Sequence, residues 1–415
     1  MIKTQIDHAR EGTLTAEMQY VAKAEGIEEE LVLKRVKDGS LVIMIRKGCK
    51  PVAIGKGAST KINVNLGTSS AFIDTEAEIA KAKVAEKYGA ASITDLSMGG
   101  DISAIRKMIF ENTSLPITTV PIYQTIVENG MDGATIDDIK AYIKKHIDEG
   151  VSSVLLHSVE RKMLENLKGL DRVMGMVSKG GSFTSSFMLL NDCKNPFIEY
   201  FDEIMETFRK KDVVLSLGNT MRSGCVHDLN DSVQLMEIEM NAKLARRANE
   251  LGVQVIINGM GGHIQANDIP ASVKMYKRKA DFPLFVAGPL PTDVAVGHDH
   301  IAGAIGATMA SGAGADYLCY ITPAEHLSLP NPEQVKEGLI AFKVAAHIGD
   351  SMKYGLSEQD LILAQKRADF DWKGQAKAAI DPGRTEQMCP DEGPCSMCGD
   401  YCAIKIMKEY LTGAA

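Results

Sequence analysis

The sequence predicts an α/β protein whose main part is a (β/α)8 barrel, flanked by a small N-terminal domain and a C-terminal helical tail. From about residue 61, short continuous runs of Val, Ile and Leu alternate with segments of helical spacing. Continuous apolar runs are typical of strands buried on both faces, and therefore of a parallel sheet. Eight or so strand–helix units in one region favour a closed barrel over an open doubly wound sheet.

Nine apolar runs are candidates for the barrel strands. A barrel of eight strands needs one fewer, so one run is not a strand or lies outside the barrel. Segments of helical length and spacing between these runs include 75–88, 137–149 and 229–251. The nine runs are 61–67, 92–97, 117–123, 152–158, 172–178, 213–219, 253–259, 283–289 and 316–322.

Changes of pattern along the chain predict three parts. Residues 1–60 form a small N-terminal domain, in which a charged helical stretch over 15–37 precedes two short apolar runs. Residues 61–345 form the barrel, which is the catalytic domain. Residues 346–415 form a polar tail, with Asp-Pro-Gly and Cys-Pro turns before a last helix at about 402–411.

Composition excludes several classes of protein. A chain of 415 residues with 45% hydrophobic and 24% charged residues can bury a large core and has an ordinary globular make-up. Its net charge of −8 argues against nucleic acid or an anionic membrane as partner. The first residues lack an apolar signal segment, and the uncharged stretch 301–315 is too short to span a bilayer. We therefore expect a cytoplasmic protein.

A group of three cysteines, Cys395, Cys398 and Cys402, lies near the C-terminus within eight residues. Three closely spaced thiolates suit a [4Fe–4S] cluster with one open iron, because a fully ligated cluster takes four cysteines. An open iron can bind a cofactor, and S-adenosylmethionine (SAM) with an iron–sulfur cluster is a known route into radical chemistry. The motif therefore indicates these two cofactors.

Other interpretations of the cysteines remain open on spacing alone. Cys389 lies six residues upstream of Cys395 and would complete a four-cysteine zinc knuckle, although zinc ligand pairs are usually separated by a longer loop. A redox pair normally sits near a βαβ pattern rather than in a tail. Structural disulfides fit least, because eight cysteines spread over 415 residues do not make a disulfide framework.

Nearly every predicted strand ends in a polar or reactive side chain. Barrel enzymes place their substrates at the rim formed by the C-terminal strand ends, so these residues are candidates for a site. Each one taken singly is ordinary, as a capping Asn or a satisfied core His, whereas the series indicates function. The residues are Asn65, Asp95, Tyr123, His157, the run 178–182, the run 219–222 and the run 258–263.

Two of these groups suggest ligands of defined chemistry. Glycines in the run 178–182 let backbone N–H groups approach a phosphate, and Lys179 adds a positive charge. The alternative is a tight glycine-rich turn without a ligand, because no full phosphate-loop signature is present. His263 and His326 follow predicted strands and suit zinc or iron at a site with open positions. The competing histidines are His298, His300 and His347.

Seven runs along the chain are distinctive enough in sequence to be compared with a known family. They resemble the radical-SAM phosphomethylpyrimidine synthase family of thiamin biosynthesis along nearly the whole chain. The resemblance implies an N-terminal domain, a (β/α)8 barrel, a cluster-bearing C-terminal segment and a homodimer. The runs are Lys-Ile-Asn-Val-Asn65-Leu-Gly, Thr-Val-Pro-Ile-Tyr123-Gln, Val-Ser178-Lys-Gly-Gly-Ser, Leu-Ser-Leu-Gly218, Ala-Gly-Pro-Leu-Pro-Thr-Asp293, Leu-Cys-Tyr-Ile-Thr-Pro-Ala-Glu-His326-Leu and Ala-Ala-His347.

The resemblance also implies which residues bind the substrate and the metals. Cys395, Cys398 and Cys402 fall on the cluster ligands, with the second gap one residue shorter than in the best-known members. His326 falls on one metal-binding histidine, and His263, next to the residue aligned with the other, is expected to serve as the second ligand to Zn2+ or Fe2+. The implied substrate-binding residues are Asn65, Thr94, Tyr123, His157, Ser178, Lys179, Gly180, Asn219, Thr220, Met221, Arg222, Asn258 and Phe285.

Some of these residues depart from the family pattern. Asn219 and Asn258 replace an Asp and a Glu, and an amide carries no charge and cannot act as a general base. Phe285 replaces a Tyr, Thr94 replaces a Met, and Lys179 replaces an Arg. The cluster motif and the phosphate run are kept while groups around the reacting sugar and ring change. This pattern is expected for the same substrate and radical start with a different rearrangement.

The resemblance therefore implies a carbon–carbon lyase type of enzyme that acts on 5-aminoimidazole ribonucleotide (AIR) with SAM and an external electron donor. The departures favour the anaerobic branch of the family, whose product is 5-hydroxybenzimidazole, a precursor of the cobamide lower ligand. One alternative is phosphomethylpyrimidine synthase itself, with the same substrate. A second alternative is a non-catalytic zinc-binding protein.

Overall fold

A computed structural model describes residues 2–228 and 231–412, and it divides the chain into two compact units, Met1–Lys353 and Tyr354–Ala415. The first two residues of the predicted helix 229–251, and residues 1 and 413–415 of the predicted end domains, lie outside the described residues. No helix among the described residues is both long and apolar enough to cross a membrane.

The first unit is built around a closed barrel of eight parallel strands, which confirms the predicted fold class. Each strand pairs with the next one along the chain, and the last pairs with the first. The strands are mostly buried on both faces, as their apolar composition predicts. They are β3 (Lys61–Leu66), β4 (Ser92–Asp95), β5 (Ile117–Thr119), β6 (Ser153–Leu156), β7 (Val214–Leu217), β8 (Val255–Asn258), β9 (Leu284–Ala287) and β10 (Tyr317–Cys319).

The N-terminal part has its own apolar cluster and precedes the barrel strands. The helical stretch predicted over 15–37 is two helices, because Gly26 ends the first one in the left-handed region at φ 65°. An antiparallel hairpin of two strands follows. The elements are α1 (Gln5–Arg10), α2 (Ala16–Glu25), α3 (Glu29–Asp38), β1 (Leu41–Met44) and β2 (Val52–Gly55).

Helices occupy the connections between barrel strands, and the link from β6 to β7 holds several of them. Their apolar faces join the strands in one large core. The helices are α4 (Thr75–Lys87), α5 (Ile102–Asn112), α6 (Pro121–Asn129), α7 (Ile136–Glu149), α8 (Arg161–Lys168), α9 (Lys179–Leu190), α10 (Pro196–Glu199), α11 (Phe201–Arg209), α12 (Ser232–Glu250), α13 (Ile269–Lys279) and α14 (Asp299–Ala313), and a further helix, α15 (Pro332–Tyr354), follows the last strand.

The predicted strand over 172–178 is wrong, and this run is the extra one of the nine. Its backbone bonds to side chains instead of to a neighbouring strand: the N–H groups of Val173 and Met174 donate to the Asp228 carboxylate at 2.7 and 3.0 Å. The Arg172 guanidinium donates to the Gly175 and Met221 carbonyls, both at 2.8 Å. These contacts hold the run as a loop before α9.

The second unit is helical. Its described helices are α16 (Glu358–Ala368), α17 (Trp372–Ala378), α18 (Pro382–Met388) and α19 (Ala403–Thr412), with a short 3-10 turn at Gly399–Tyr401. The Trp372 indole N–H donates to the Gly393 carbonyl at 2.9 Å, and Lys408 pairs with Asp369 at 2.9 Å. These contacts connect the helices of the tail to the cysteine-bearing segment and to α19. The predicted division at residues 60 and 345 remains a prediction.

We expect Arg106→Met to destabilise the barrel strongly. Arg106 is 1% exposed, and its guanidinium lies 3.5 Å from Asp95 and 2.9 Å from Glu149. Removing the cation leaves the buried Asp95 carboxylate uncompensated, at a cost of about 3–5 kcal/mol. Urea unfolding measures the loss. The control, Lys144→Met, breaks an exposed pair with Asp148 and should cost less than about 1 kcal/mol; equal effects of the two changes would contradict the prediction.

Candidate active site

A cavity of about 340 Å3 opens at the C-terminal ends of the barrel strands. Most of the residues that the sequence suggested as substrate ligands share this cavity, although they come from many separate segments of the chain. Their role in binding remains a prediction, whereas their convergence is a feature of the fold. The suggested residues that line it are Asn65, Thr94, Tyr123, His157, Ser178, Lys179, Asn219, Arg222, Asn258 and Phe285.

Three of the residues suggested as substrate ligands, Thr220, Met221 and Gly180, do not line the cavity with a side chain. Thr220 and Met221 are fully buried, and their backbone N–H groups donate to the Glu237 carboxylate of α12. Burial raises the pKa of Glu237 to about 7. Gly180 supplies backbone only. These residues therefore support the loop after β7 and the start of α9 rather than present side chains to a ligand.

Ser178 and Lys179 lie at the N-terminal end of α9, where the glycine-rich run begins the helix. Ser178 caps the helix, with its Oγ accepting from the N–H of Gly181 at 3.2 Å. A Cβ on Gly180 would lie 2.1 Å from the His157 ring, so the helix can approach that ring only with glycine here. A helix N-terminus that opens onto a cavity is a suitable place for a phosphate.

Tyr123 comes from a helix instead of a strand, because β5 ends at Thr119 and α6 begins at Pro121. Its ring stacks edge-on against Phe183, with the centroids 5.7 Å apart, and the Lys179 ammonium lies 5.6 Å from its centroid. Burial raises the pKa of Tyr123 to about 12, so the hydroxyl stays protonated at neutral pH. It can therefore donate a hydrogen bond into the cavity.

His157 is buried at the floor of the cavity. Burial, followed by the positive charge of Arg222, lowers its pKa to about 3. The ring is therefore neutral at physiological pH, with one nitrogen that can accept a hydrogen bond. Enclosure lowers the pKa of Lys179 too, and Arg222 adds to that effect. Lys179 and Arg222 are the cations among the described lining residues.

Four buried polar atoms of the lining have no hydrogen-bond partner. They are Ser153 Oγ, His157 Nδ1, Asn219 Nδ2 and Asn258 Oδ1. The opposite end of the Asn258 amide is held, because its Nδ2 donates to Ser216 Oγ at 2.7 Å. Buried polar atoms in folded proteins are nearly always paired, so four unpaired atoms around one cavity indicate a polar ligand.

A second cavity of about 610 Å3 adjoins the first, since both are lined by Asn65, Arg222, Cys319 and Glu325. His263 and His326 line the second one, with ring centroids 5.1 Å apart. Both rings come from loops that follow barrel strands.

The two histidines fit a metal site in the chemistry of their donors. His263 Nδ1 lies 2.5 Å from Asp293, and His326 Nδ1 lies 3.4 Å from Asp299. Carboxylates behind the Nδ1 atoms fix the rings and leave the Nε2 atoms for a metal, as in many histidine-ligated sites. His326 is also held at φ 65°, a left-handed conformation that is uncommon for a residue with a side chain. Their role as ligands remains a prediction.

The tail cysteines lie on one short turn. The Gly399 N–H donates to the Cys395 carbonyl at 3.1 Å, and the Cys402 N–H donates to the Gly399 carbonyl at 3.2 Å. Cys398 is exposed and Cys402 is buried, and none of the eight cysteines forms a disulfide. Three reduced thiols on one compact segment fit the donor set of a cluster with an open iron.

Sequence reasoning missed several residues of the two cavities. Glu325 and Cys319 line both, and the Asn65 amide donates to Cys319 Sγ at 2.9 Å. Both residues lie in the run that ends at His326, beside residues that the resemblance singled out. Asp293 and Asp299, which contact the Nδ1 atoms of the two histidines, were harder to predict from the sequence, because only the folded loops bring them to the imidazole rings.

Comparison with known proteins identifies the family of the chain. The model of the Radical SAM ThiC family matches residues 4–409 of the chain. The chain belongs to the Radical SAM ThiC family. Membership in this family implies SAM and a [4Fe–4S] cluster as cofactors and makes the chain an enzyme of the lyase or synthase type.

Relatives in the ThiC family match along nearly their whole length. The chain is 44% identical to a phosphomethylpyrimidine synthase of Dehalococcoides mccartyi (strain CBDB1), over 98% of each chain. It is 43% identical to one from Thermoanaerobacter sp. (strain X514), over 99% of each, and 40% identical to one from Geobacter metallireducens, over 99% of this chain and 98% of the relative.

We expect His157 to make the stability of the barrel depend on pH. Its folded pKa of about 3 lies below the ordinary value, so the unfolded chain binds a proton that the folded chain does not. As the pH falls from about 6.5 to about 4, the free energy of unfolding should decrease in the wild type because the unfolded chain takes up this proton. His157→Gln lacks this contribution, so its free energy of unfolding should decrease less steeply, by about 1.4 kcal/mol less per pH unit.

Urea unfolding across this pH range measures the difference between the two proteins. His298→Gln, a change at an exposed histidine, is the matched control and should follow the wild type. Identical pH dependence of the wild type and His157→Gln would show that His157 titrates normally in the folded protein.

Proposed function

We propose that the chain is a radical-SAM enzyme that rearranges AIR. The observation that carries this proposal is the set of four unpaired polar atoms, on Ser153, His157, Asn219 and Asn258, around a cavity that is also lined by two cations. AIR offers a phosphate for the cations and the start of α9, and it offers sugar hydroxyls and ring nitrogens for the unpaired atoms. The non-catalytic zinc protein has no such support.

The residues around the cavity would divide the work of binding. Lys179, with the backbone amides at Ser178–Gly180, would hold the phosphate, and Arg222, which lines both cavities, would bridge phosphate and sugar hydroxyls. His263 and His326 would hold zinc or iron beside the substrate. Cys395, Cys398 and Cys402 would ligate the cluster, which with SAM and an external electron donor supplies the 5′-deoxyadenosyl radical. We also propose a homodimer in the cytoplasm.

Two products are candidates, and different observations support them. The names of the relatives, at 40–44% identity, favour a phosphomethylpyrimidine for thiamin synthesis. The amides Asn219 and Asn258 favour 5-hydroxybenzimidazole for the cobamide lower ligand. Both amides line the cavity at positions where the resemblance implies carboxylates, so neither can take a proton from the substrate there.

The first test is an anaerobic assay of the iron–sulfur-reconstituted full chain with AIR, SAM and dithionite, read by mass spectrometry. We expect 5′-deoxyadenosine to form together with a product derived from AIR. Cys398→Ser should abolish both, because it removes a cluster ligand, whereas Cys193→Ser, outside the motif, should retain them. An absence of SAM cleavage in the wild type would overturn the proposed function.

The second test addresses the product. If the amides select 5-hydroxybenzimidazole, the wild type gives that mass, and Asn219→Asp with Asn258→Glu should reduce its formation by about tenfold or more, because two new negative charges enter a site shaped for amides. Asn267→Asp, an exposed amide outside the cavity, is the matched control and should leave the rate unchanged. A methylpyrimidine phosphate from the wild type would place the enzyme in thiamin synthesis and contradict the role given to the amides.

A further inference from the structure

A group of three potential metal ligands lies at the second cavity, and it shares only Asp293 with the histidine pair described above. Cys225 Sγ, an imidazole nitrogen of His227 and a carboxylate oxygen of Asp293 all lie within 4.8 Å of one another. Within the described ranges 2–228 and 231–412, no other group of three His, Cys, Asp or Glu side chains brings its potential ligand atoms within this distance of one another. Cys225 is buried, Asp293 is half-buried and His227 is exposed.

The loops that carry these ligands are joined by backbone pairing above the barrel. Ser223 forms a parallel bridge with Gly262, and His263 forms one with Leu290. The His263 N–H donates to the Ser223 carbonyl at 3.3 Å, and the Leu290 N–H donates to the Gly262 carbonyl at 2.9 Å. The loop after β7 and the loop after β9 are therefore fixed to each other through the loop after β8.

Asp293 makes a direct side-chain link between the same loops. Its Oδ2 accepts from the Val226 N–H at 3.0 Å, and its Oδ1 lies 2.5 Å from His263 Nδ1. Val226 lies between Cys225 and His227, so this hydrogen bond places the carboxylate beside both of their side chains. A carboxylate has about four lone-pair positions, which leaves capacity for a further ligand.

The spacing and the chemistry of the three donors suit one metal ion. Around a tetrahedral zinc ion, neighbouring sulfur, nitrogen and oxygen ligands lie about 3.4–3.6 Å apart, so the three atoms need to approach one another by at most about 1.4 Å. The exposed His227 can make most of that adjustment by rotation. A thiolate, an imidazole and a carboxylate favour a borderline ion such as zinc or iron(II) over calcium or magnesium.

We propose that Cys225, His227 and Asp293 bind a zinc or iron(II) ion at a second metal site, separate from the pair His263 and His326. Cys225 and Asp293 line the cavity of about 610 Å3, so the fourth position of the ion faces the same space as the histidine pair. Asp293 belongs to both, since it also bonds to His263. Occupation of the second site draws electron density from Asp293 and so weakens its bond to His263, which couples the two sites.

Cobalt substitution tests the site in the full chain. Replacing Cys389, Cys395, Cys398 and Cys402 by Ser removes the tail thiols, and anaerobic Co2+ then reports any remaining thiolate ligand through its near-ultraviolet charge-transfer absorption. We expect this absorption in the tail-thiol variant and its loss after a further Cys225→Ser change. His227→Gln should weaken cobalt binding by about tenfold or more. Neither readout depends on enzyme activity.

Two controls separate the second site from other ligands. Cys193→Ser, a half-buried cysteine elsewhere in the same unit, should leave the absorption unchanged, and His326→Gln should retain it while removing metal from the histidine pair. Circular dichroism checks folding, and His227→Gln, a change at an exposed side chain, serves if Cys225→Ser fails to fold. An absence of the thiolate band, or a band that survives Cys225→Ser, would overturn the proposal.

Discussion

The closure of the parallel sheet between β10 and β3 is the constraint on which the rest of the structure depends. Tyr317, Leu318 and Cys319 pair with residues 61–63, so the last strand joins the first. Closure leaves no exposed strand edges, and it brings all eight C-terminal strand ends to one rim. Loops far apart in sequence therefore meet there, and the side chains below them face a closed interior.

That interior is polar beneath the cavity, and its hydrogen bonds are largely made. Asn63 is fully buried, and its Oδ1 accepts from Ser92 Oγ and Thr94 Oγ1, both at 2.9 Å, and from the Tyr317 hydroxyl at 3.3 Å. Such a satisfied network rigidifies the floor. The unpaired His157 Nδ1 in the cavity lining contrasts with this network, and the difference distinguishes atoms that stabilise the barrel from atoms that are free to bond to a ligand.

The barrel was predictable because its signal is local: each buried strand is a continuous apolar run, and each strand end carries a polar residue. The run 172–178 has the same composition, yet it is a loop, because the carboxylate of Asp228, about fifty residues away in sequence, binds its backbone. The pairing of Cys225 and His227 with Asp293 is likewise set by contacts between loops, which spacing along the chain does not encode. The sequence therefore predicted residues that line the cavity from strand ends, whereas it did not reveal residues whose position depends on a partner from another loop.

The charges of the cavity bear on the chemistry that it can perform. With amides at positions 219 and 258, the lining of the first cavity carries two cations, Lys179 and Arg222, and, among its described residues, one carboxylate, Glu325. His157 is neutral there. This balance suits a substrate that brings a phosphate.

Burial raises the pKa of Glu325, and a carboxylate with a raised pKa accepts a proton more readily near neutral pH. In the proposed reaction, a proton that left the substrate for a carboxylate of this lining would go to Glu325, which is adjacent in sequence to His326, the proposed metal ligand, and is remote from the ends of β7 and β8 along the chain.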